Sequence, residues 1–224
     1  MFQGLFQMLP AILLTIPPAL ISLSFHEAAH GFVANKLGDP TAKNLGRISL
    51  NPMKHFNLFG FIALVLFRVG WAHPVPINTR NFKNPKSGMA LSAAAGPISN
   101  LCLAVVFALF IKLTYTILPI LNIKTEAAFL ILSLLLIMLE NGVIINVNLA
   151  LFNLIPIPPF DGSRIAFYFL PTKLYFDVMK YERYIMIGFI LLFSVGGFGA
   201  KLSVFADWII NILYKILQVP SIFY

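Results

Sequence analysis

The sequence predicts an all-α polytopic membrane protein, with about five to six transmembrane helices and a short re-entrant or β-like membrane-associated segment. The chain of 224 residues is 59% hydrophobic and only 11% charged, and its mean hydropathy is +0.87. Soluble domains carry about 25% charged residues, so this chain has too few charges to cover a water-facing surface. Its composition therefore excludes an ordinary cytosolic enzyme, a disordered tail and a nucleic-acid-binding module.

The apolar residues fall in runs that are long enough to cross a bilayer, which takes about 20 residues of helix. Five long runs lie at roughly 5–37, 88–119, 127–157, 184–198 and 202–218. A sixth run at roughly 56–71 has an apolar part of about 12 residues, or about 18 Å of helix. The hydrocarbon core is about 30 Å thick, so we expect this run to be re-entrant. We expect one membrane-embedded domain over residues 1–224, with its core at about 5–165 and C-terminal helices at about 183–218.

Basic residues predict the orientation of these segments. Lys and Arg collect in cytoplasmic loops, so the net charge of +8 indicates no nucleic-acid partner. If the N-terminus is outside and 56–71 is re-entrant, residues 38–87 and 158–183 are cytoplasmic. These two regions, their flanks and the C-terminal end then hold 13 of the 16 basic residues. A full crossing by 56–71 would move Arg80, Lys83 and Lys86 outside, so the charge distribution favours the re-entrant arrangement.

A metal-binding pattern lies inside the first apolar run, where His26, Glu27 and His30 read H-E-x-x-H. Positions i and i+4 of a helix share a face, so both imidazoles can point at one ion while Glu27 reaches a coordinated water. Two imidazoles, a further protein ligand and an open position make a catalytic zinc site. Ionisable groups are costly in a membrane and usually functional. The alternative is a helix end with solvated His and Glu side chains.

The third ligand has to come from elsewhere, and Asp161 is the best candidate. It follows the proline-dense stretch 153–160, which cannot continue a helix and is tolerated at membrane depth only where it is buried or lines a wet cavity. The favoured topology also puts His30 and Asp161 near the same membrane face. The alternative is that Asp161 caps a helix beginning near Ser163. Other candidate ligands are Asp39, His55, His73, Glu140, Asp177 and Glu182.

These motifs resemble those of the site-2 protease family of intramembrane zinc metalloproteases. The resemblance rests on FHEAAHG at 25–31, AAGPISN at 94–100 and FNLIPIPPFDG at 152–162. GRISLNP at 46–52 and AHPVPIN at 72–78 are similar to the compact bacterial branch that lacks PDZ and CBS domains. Substrate selection would then use the core itself or a partner.

The resemblance implies one Zn²⁺ per chain, held by His26, His30 and Asp161, with Glu27 as the catalytic acid and base. It also implies transmembrane protein substrates that are cleaved toward the cytoplasmic side, in a lipid bilayer that we expect to be a bacterial inner membrane. A zinc transporter and an inactive protease-like scaffold are the alternatives. A transporter needs ionisable residues along its spans, whereas here they concentrate at one level.

Other motif residues permit two interpretations each. The Asn153 amide could hydrogen-bond a substrate peptide or the developing oxyanion, or it could satisfy helix carbonyls beside the prolines. Gly96 and Pro97 permit close helix approach or a kink, and Asn100 can then hydrogen-bond across helices, so we interpret these three as structural. The loops 40–52 and 72–79 contain strand-like pieces, to whose edge an extended substrate could add a strand.

Overall fold

The computed structural model describes residues 2–57, 60, 73–120, 125–195 and 197–220, and within these ranges the regular structure is all-helical. The α-helices are α1 (Phe2–Lys36), α2 (Thr41–Asn44), α3 (Pro85–Ile117), α4 (Glu126–Leu154), α5 (Asp161–Phe167), α6 (Thr172–Met179), α7 (Glu182–Val195) and α8 (Phe198–Leu217). Short 3-10 turns lie at Pro52–Lys54 and Thr79–Asn81.

Three described helices are long and apolar enough to cross a membrane: Pro10–Lys36 of α1, all of α3 and all of α4. They coincide with the first three long runs of the sequence, so helices that suit membrane insertion form where the hydropathy predicts them. Helix α7 has 14 residues and reaches about 21 Å, and α8 has 20 residues that include three charged ones. Most of the expected re-entrant segment 56–71 lies outside the described residues, so five to six spans stay a prediction.

The strand-like pieces that we expected at 40–52 and 72–79 are not strands in the described part of the chain. Thr41–Asn44 forms the α2 turn instead, and residues 73–78 run without regular hydrogen bonding. Pro74 and Pro76 lack the N–H group that a strand ladder needs. Side chains hold this loop instead, since Arg47 Nη2 donates to the carbonyl of His73.

Helix α3 packs against both α1 and α4 and forms the centre of the bundle. The apolar core is built from α3, α4, α8 and Val219, and its buried members are Ala104, Ala108, Ile111, Val143, Val147, Ala206, Ile210 and Val219. Alanine at such contacts lets helix backbones approach closely, which is how helices associate in membranes. Large apolar side chains such as Phe129, Ile131 and Leu134 on α4 stay exposed, as lipid contact requires.

Local sequence explains where the two central helices begin. The Asn84 side chain accepts from the N–H of Ser87 and a proline opens α3, which is a favoured helix start. Thr125 caps α4 in the same way by accepting from Ala128. Helix α4 ends at Leu154 because Pro156 follows, and the irregular stretch 155–160 then leads directly to Asp161 at the start of α5.

Candidate metal centre

Helix α1 and the start of α5 bring three predicted ligands together. His26, His30 and Asp161 are 6%, 7% and 8% exposed. The Nε2 atoms of the two imidazoles lie 3.0 Å apart, and each lies 3.2 Å from Asp161 Oδ2. These residues form the one group of three potential ligands among the described residues.

The size of this triangle fits a zinc ion. Zinc lies about 2.0–2.1 Å from nitrogen and oxygen ligands, so two ligands at a tetrahedral angle stand about 3.3 Å apart. The three measured edges of 3.0 to 3.2 Å are close to that value. Three protein ligands leave a fourth position open, as in catalytic zinc sites.

The hydrogen bonds behind the imidazoles fix which ring nitrogens face the centre. His26 Nδ1 lies 2.6 Å from Asn100 Oδ1, and the Asn100 amide is oriented because its Nδ2 donates to the carbonyl of Ser22. His30 Nδ1 lies 2.7 Å from the carbonyl of Ser92. An amide oxygen and a carbonyl can only accept, so both Nδ1 atoms carry the proton. Both neutral rings therefore point an Nε2 lone pair at the centre.

The centre therefore brings together three atoms with lone pairs, none of which carries a proton. Asp161 Oδ2 is buried and accepts no hydrogen bond from the described residues. An ionised carboxylate and two lone pairs repel one another unless a cation lies between them. The chemistry of the donor set thus suits zinc.

Gly96 on α3 gives the two imidazoles their room. A Cβ at this position would lie 2.5 Å from Cε1 and Nε2 of His30 and 2.6 Å from Cε1 of His26. The sequence indicated close helix approach at Gly96, and the partners in that approach are the predicted ligand side chains themselves. Pro97 beside it is fully buried within α3.

We expect Gly96→Ala to weaken zinc binding by about 10–100-fold, the usual effect of disturbing the groups that orient metal ligands. The added methyl must displace both rings because it cannot coexist with them at these distances. Competition with a chromophoric chelator measures the affinity. Gly188→Ala on α7 is the matched control, since a Cβ there meets nothing within 4 Å in the described chain. Equal affinities of the two variants would contradict the prediction.

Glu27 and Asn153 are held by different partners. Glu27 is partly buried, and its Oε2 accepts from the backbone N–H of Val75 at 2.8 Å. Asn153 is also partly buried, and its Nδ2 donates to the carbonyl of Leu149, one turn earlier in α4, at 2.9 Å. This bond corresponds to one of the two interpretations of Asn153, in which the amide satisfies a helix carbonyl. It uses one of the two amide protons.

The remaining ligand candidates lie in other environments. Asp39 is fully buried, and it accepts hydrogen bonds from Thr41, Asn78 and Asn81. Burial raises the pKa of the Asp39 carboxyl, and these donors lower it by more. Asp177 pairs with Lys180 at the surface. None of the other candidates joins the triad in the described part of the chain.

A polar network behind His26 was not predicted as a unit. Asn100 Nδ2 donates to Asn146 Oδ1 at 2.8 Å, and Asn146 Nδ2 donates to the hydroxyl of Ser22 and the carbonyl of Gly142, both at 2.7 Å. Ser22, Asn100 and Asn146 are fully buried, and they join α1, α3 and α4. Two features of the sequence point to it: Asn100, which we expected to hydrogen-bond across helices, and Ser22, which lies four residues before His26 on α1.

Comparison with known proteins also indicates a zinc metalloprotease. A family model described as Peptidase family M50 matches residues 15–195. A protein of Bacillus subtilis (strain 168) named "Putative zinc metalloprotease YwhC" is 37% identical over 190 residues, which are 83% of this chain and 81% of that protein. None of the solved structures matches the chain. With its spanning helices and zinc-compatible triad, the chain belongs to peptidase family M50, the site-2 protease family, and is a membrane zinc metalloprotease.

Proposed function

We propose that this protein is an intramembrane endopeptidase, which hydrolyses peptide bonds in or near transmembrane segments of other membrane proteins. The observation that carries the proposal is the buried triad of ligand atoms, two of which, from His26 and His30, lie on a helix of membrane-spanning length. We assign His26, His30 and Asp161 as the zinc ligands and Glu27 as the general base and acid. A peptidase centre on a helix that crosses the membrane can reach substrates that are themselves within the membrane.

Bound zinc would supply a Lewis acid and would lower the pKa of water in its open position to about 7. Glu27 takes the proton of the attacking water and later gives a proton to the leaving amide nitrogen. Its position one residue after His26 keeps its carboxylate next to the ligand face of α1. Asn153 keeps a second amide proton, which we assign to the substrate backbone or to the negative charge that develops on the carbonyl oxygen.

We place the active site toward the cytoplasmic side of a bacterial inner membrane, in one domain with five to six spans and a re-entrant segment at 56–71. The support is the distribution of basic residues, since Lys36 ends α1 just beyond the ligands and Arg80, Lys83 and Lys86 precede or open α3. Positive charge of this kind marks the cytoplasmic flank of a span.

Metal removal tests the proposal. The full-length protein in detergent micelles is incubated with a fluorescently labelled peptide that contains a single apolar span with lysine flanks. We expect a chelator to abolish cleavage and one equivalent of zinc to restore it, because the two lone pairs and the carboxylate need the ion. Mass spectrometry of the products should place the cut in or beside the apolar span. Cleavage that survives complete loss of zinc would contradict the proposal.

A further inference from the structure

In the part of the chain that the structure describes, one backbone amide holds the carboxylate of Glu27. It belongs to Val75, in the segment 73–78, which we call the Val75 segment. Pro74 and Pro76 have no N–H group, so Val75 carries the one backbone donor of residues 74–76. That donor lies 2.8 Å from Glu27 Oε2. The bond uses one of the two carboxylate oxygens, and no hydrogen bond from the described residues occupies the other, which we assign to proton transfer.

Two charged residues from the loop after α1 fix the Val75 segment at its two ends. Arg47 Nη2 donates to the carbonyls of His73 and Pro74, at 2.7 and 3.2 Å. Asp39 Oδ2 accepts from the N–H of Asn78 at 2.7 Å. Hydrogen bonds to charged groups are stronger than those between neutral groups. The segment has no regular hydrogen bonding of its own, so these contacts define its position, together with one backbone bond from the N–H of His73 to the carbonyl of His55 at 2.8 Å.

Asp39 is itself held firmly. Its carboxylate is fully buried, its Oδ1 accepts from Asn81 Nδ2 at 2.7 Å and from the N–H of Thr41 at 3.1 Å, and the Thr41 hydroxyl adds another bond. A buried carboxylate with this many donors is costly to move. The loop after α1 therefore provides a rigid support for the Val75 segment.

Packing brings the segment against α1 beside the metal ligands. The Val75 side chain is 8% exposed. A Cβ on Gly31, the residue after His30, would lie 3.1 Å from Val75 Cγ1. The absence of a side chain at Gly31 thus allows the close approach that puts the Val75 amide in reach of Glu27.

We propose that the Val75 segment positions the general base: the Val75 amide orients the Glu27 carboxylate, and Asp39 and Arg47 are positioning residues that hold that amide in place. This inference rests on the proposed role of Glu27. A free glutamate side chain samples several rotamers, and its ordering costs free energy at each turnover. Because the Val75 segment is held at both ends, its amide removes most of this ordering cost before the substrate binds. A purely structural role, in which the bond only attaches the loop to α1, predicts equal kcat values for variants with and without the Val75 amide proton.

The first test needs no activity. Hydrogen–deuterium exchange is measured on the zinc-loaded full chain in micelles, where a peptide covering 73–78 reports four amides because its two prolines have none. We expect Glu27→Ala to raise exchange at Val75 by roughly tenfold or more, because the amide loses its acceptor. Asp39→Asn should raise exchange at Asn78 and at Val75 together. Unchanged exchange at Val75 in Glu27→Ala would overturn the proposal.

The second test is kinetic and compares Val75→Pro with Val75→Ala on the labelled span peptide. Val75→Pro removes the amide proton, whereas Val75→Ala trims the side chain and keeps the proton. We expect kcat of the proline variant to be roughly tenfold lower than that of the alanine variant, with equal KM and equal zinc content. Asp39→Asn, which is isosteric, should lower kcat in the same direction.

Equal kcat values for Val75→Pro and Val75→Ala would overturn the positioning role, as would a loss that lies in zinc content or KM. The purely structural role predicts equal kcat values together with a lower melting temperature. A zinc-loaded wild-type chain that cleaves no span-containing peptide would instead overturn the proposed function, and the exchange measurement would still decide whether Glu27 holds the Val75 amide.

Discussion

Replacing Glu27 by glutamine is expected to lower kcat for the labelled span peptide by roughly 10²–10⁴-fold, while zinc stays at one ion per chain. Glutamine has the same shape, and its amide oxygen can still accept from the N–H of Val75. It cannot take a proton from water at neutral pH, so the loss isolates proton transfer from positioning. Single-turnover cleavage and elemental analysis of the same samples measure both quantities.

Glu126→Gln is the matched control for this substitution. Glu126 is an exposed residue in the first turn of α4, and its replacement should leave both the rate and the zinc content unchanged. A Glu27→Gln variant that retains the wild-type rate would show that another group moves the proton. If Glu27→Gln and the wild type both carried zinc into sealed vesicles without cleaving peptide, the zinc-transporter alternative would be correct.

The helices could be predicted from sequence because length and hydropathy decide them. A run of apolar residues in a bilayer has to satisfy its backbone internally, so α1, α3 and α4 appear where the hydropathy places them. The loops could not be predicted in the same way. We expected strand-like pieces at 72–79, but Pro74 and Pro76 prevent a ladder, and distant side chains hold that segment instead.

The candidate metal centre likewise has residues that the sequence predicts and partners that it does not. His26 and His30 follow from helical spacing, which is local. Asp161 was the best of several candidates because it follows the proline-dense stretch and because the favoured topology puts it near the same membrane face as His30. The acceptors behind the two rings, the Asn100 amide and the Ser92 carbonyl, are 74 and 62 residues away in the chain. A backbone carbonyl has no residue type that would reveal it, so such partners require the folded structure. The Val75 amide is hidden for the same reason.

The Asp161 carboxylate is expected to account for a large share of zinc affinity. We expect Asp161→Ala to weaken zinc binding by more than about 100-fold, beyond the 10–100-fold that loss of an orienting partner usually costs, and to abolish cleavage. The ion would lose one of three protein ligands and the one negative charge among them. Asp177→Ala is the matched control, because Asp177 is a half-exposed carboxylate paired with Lys180 at the surface. Chelator competition measures both affinities.

Asp161→Asn separates the metal-binding role of this carboxylate from a structural one. Asparagine has two amide protons, and the Nε2 lone pairs of His26 and His30 lie within hydrogen-bond distance of the present Oδ2 position. The amide can therefore donate to both rings and satisfy them without an ion. We expect the zinc-free Asp161→Asn protein to melt no lower than the zinc-free wild type, and added zinc to raise the melting temperature of the wild type alone. If Asp161 merely caps α5, zinc will stabilise both proteins equally, and the assignment of the third ligand will be wrong.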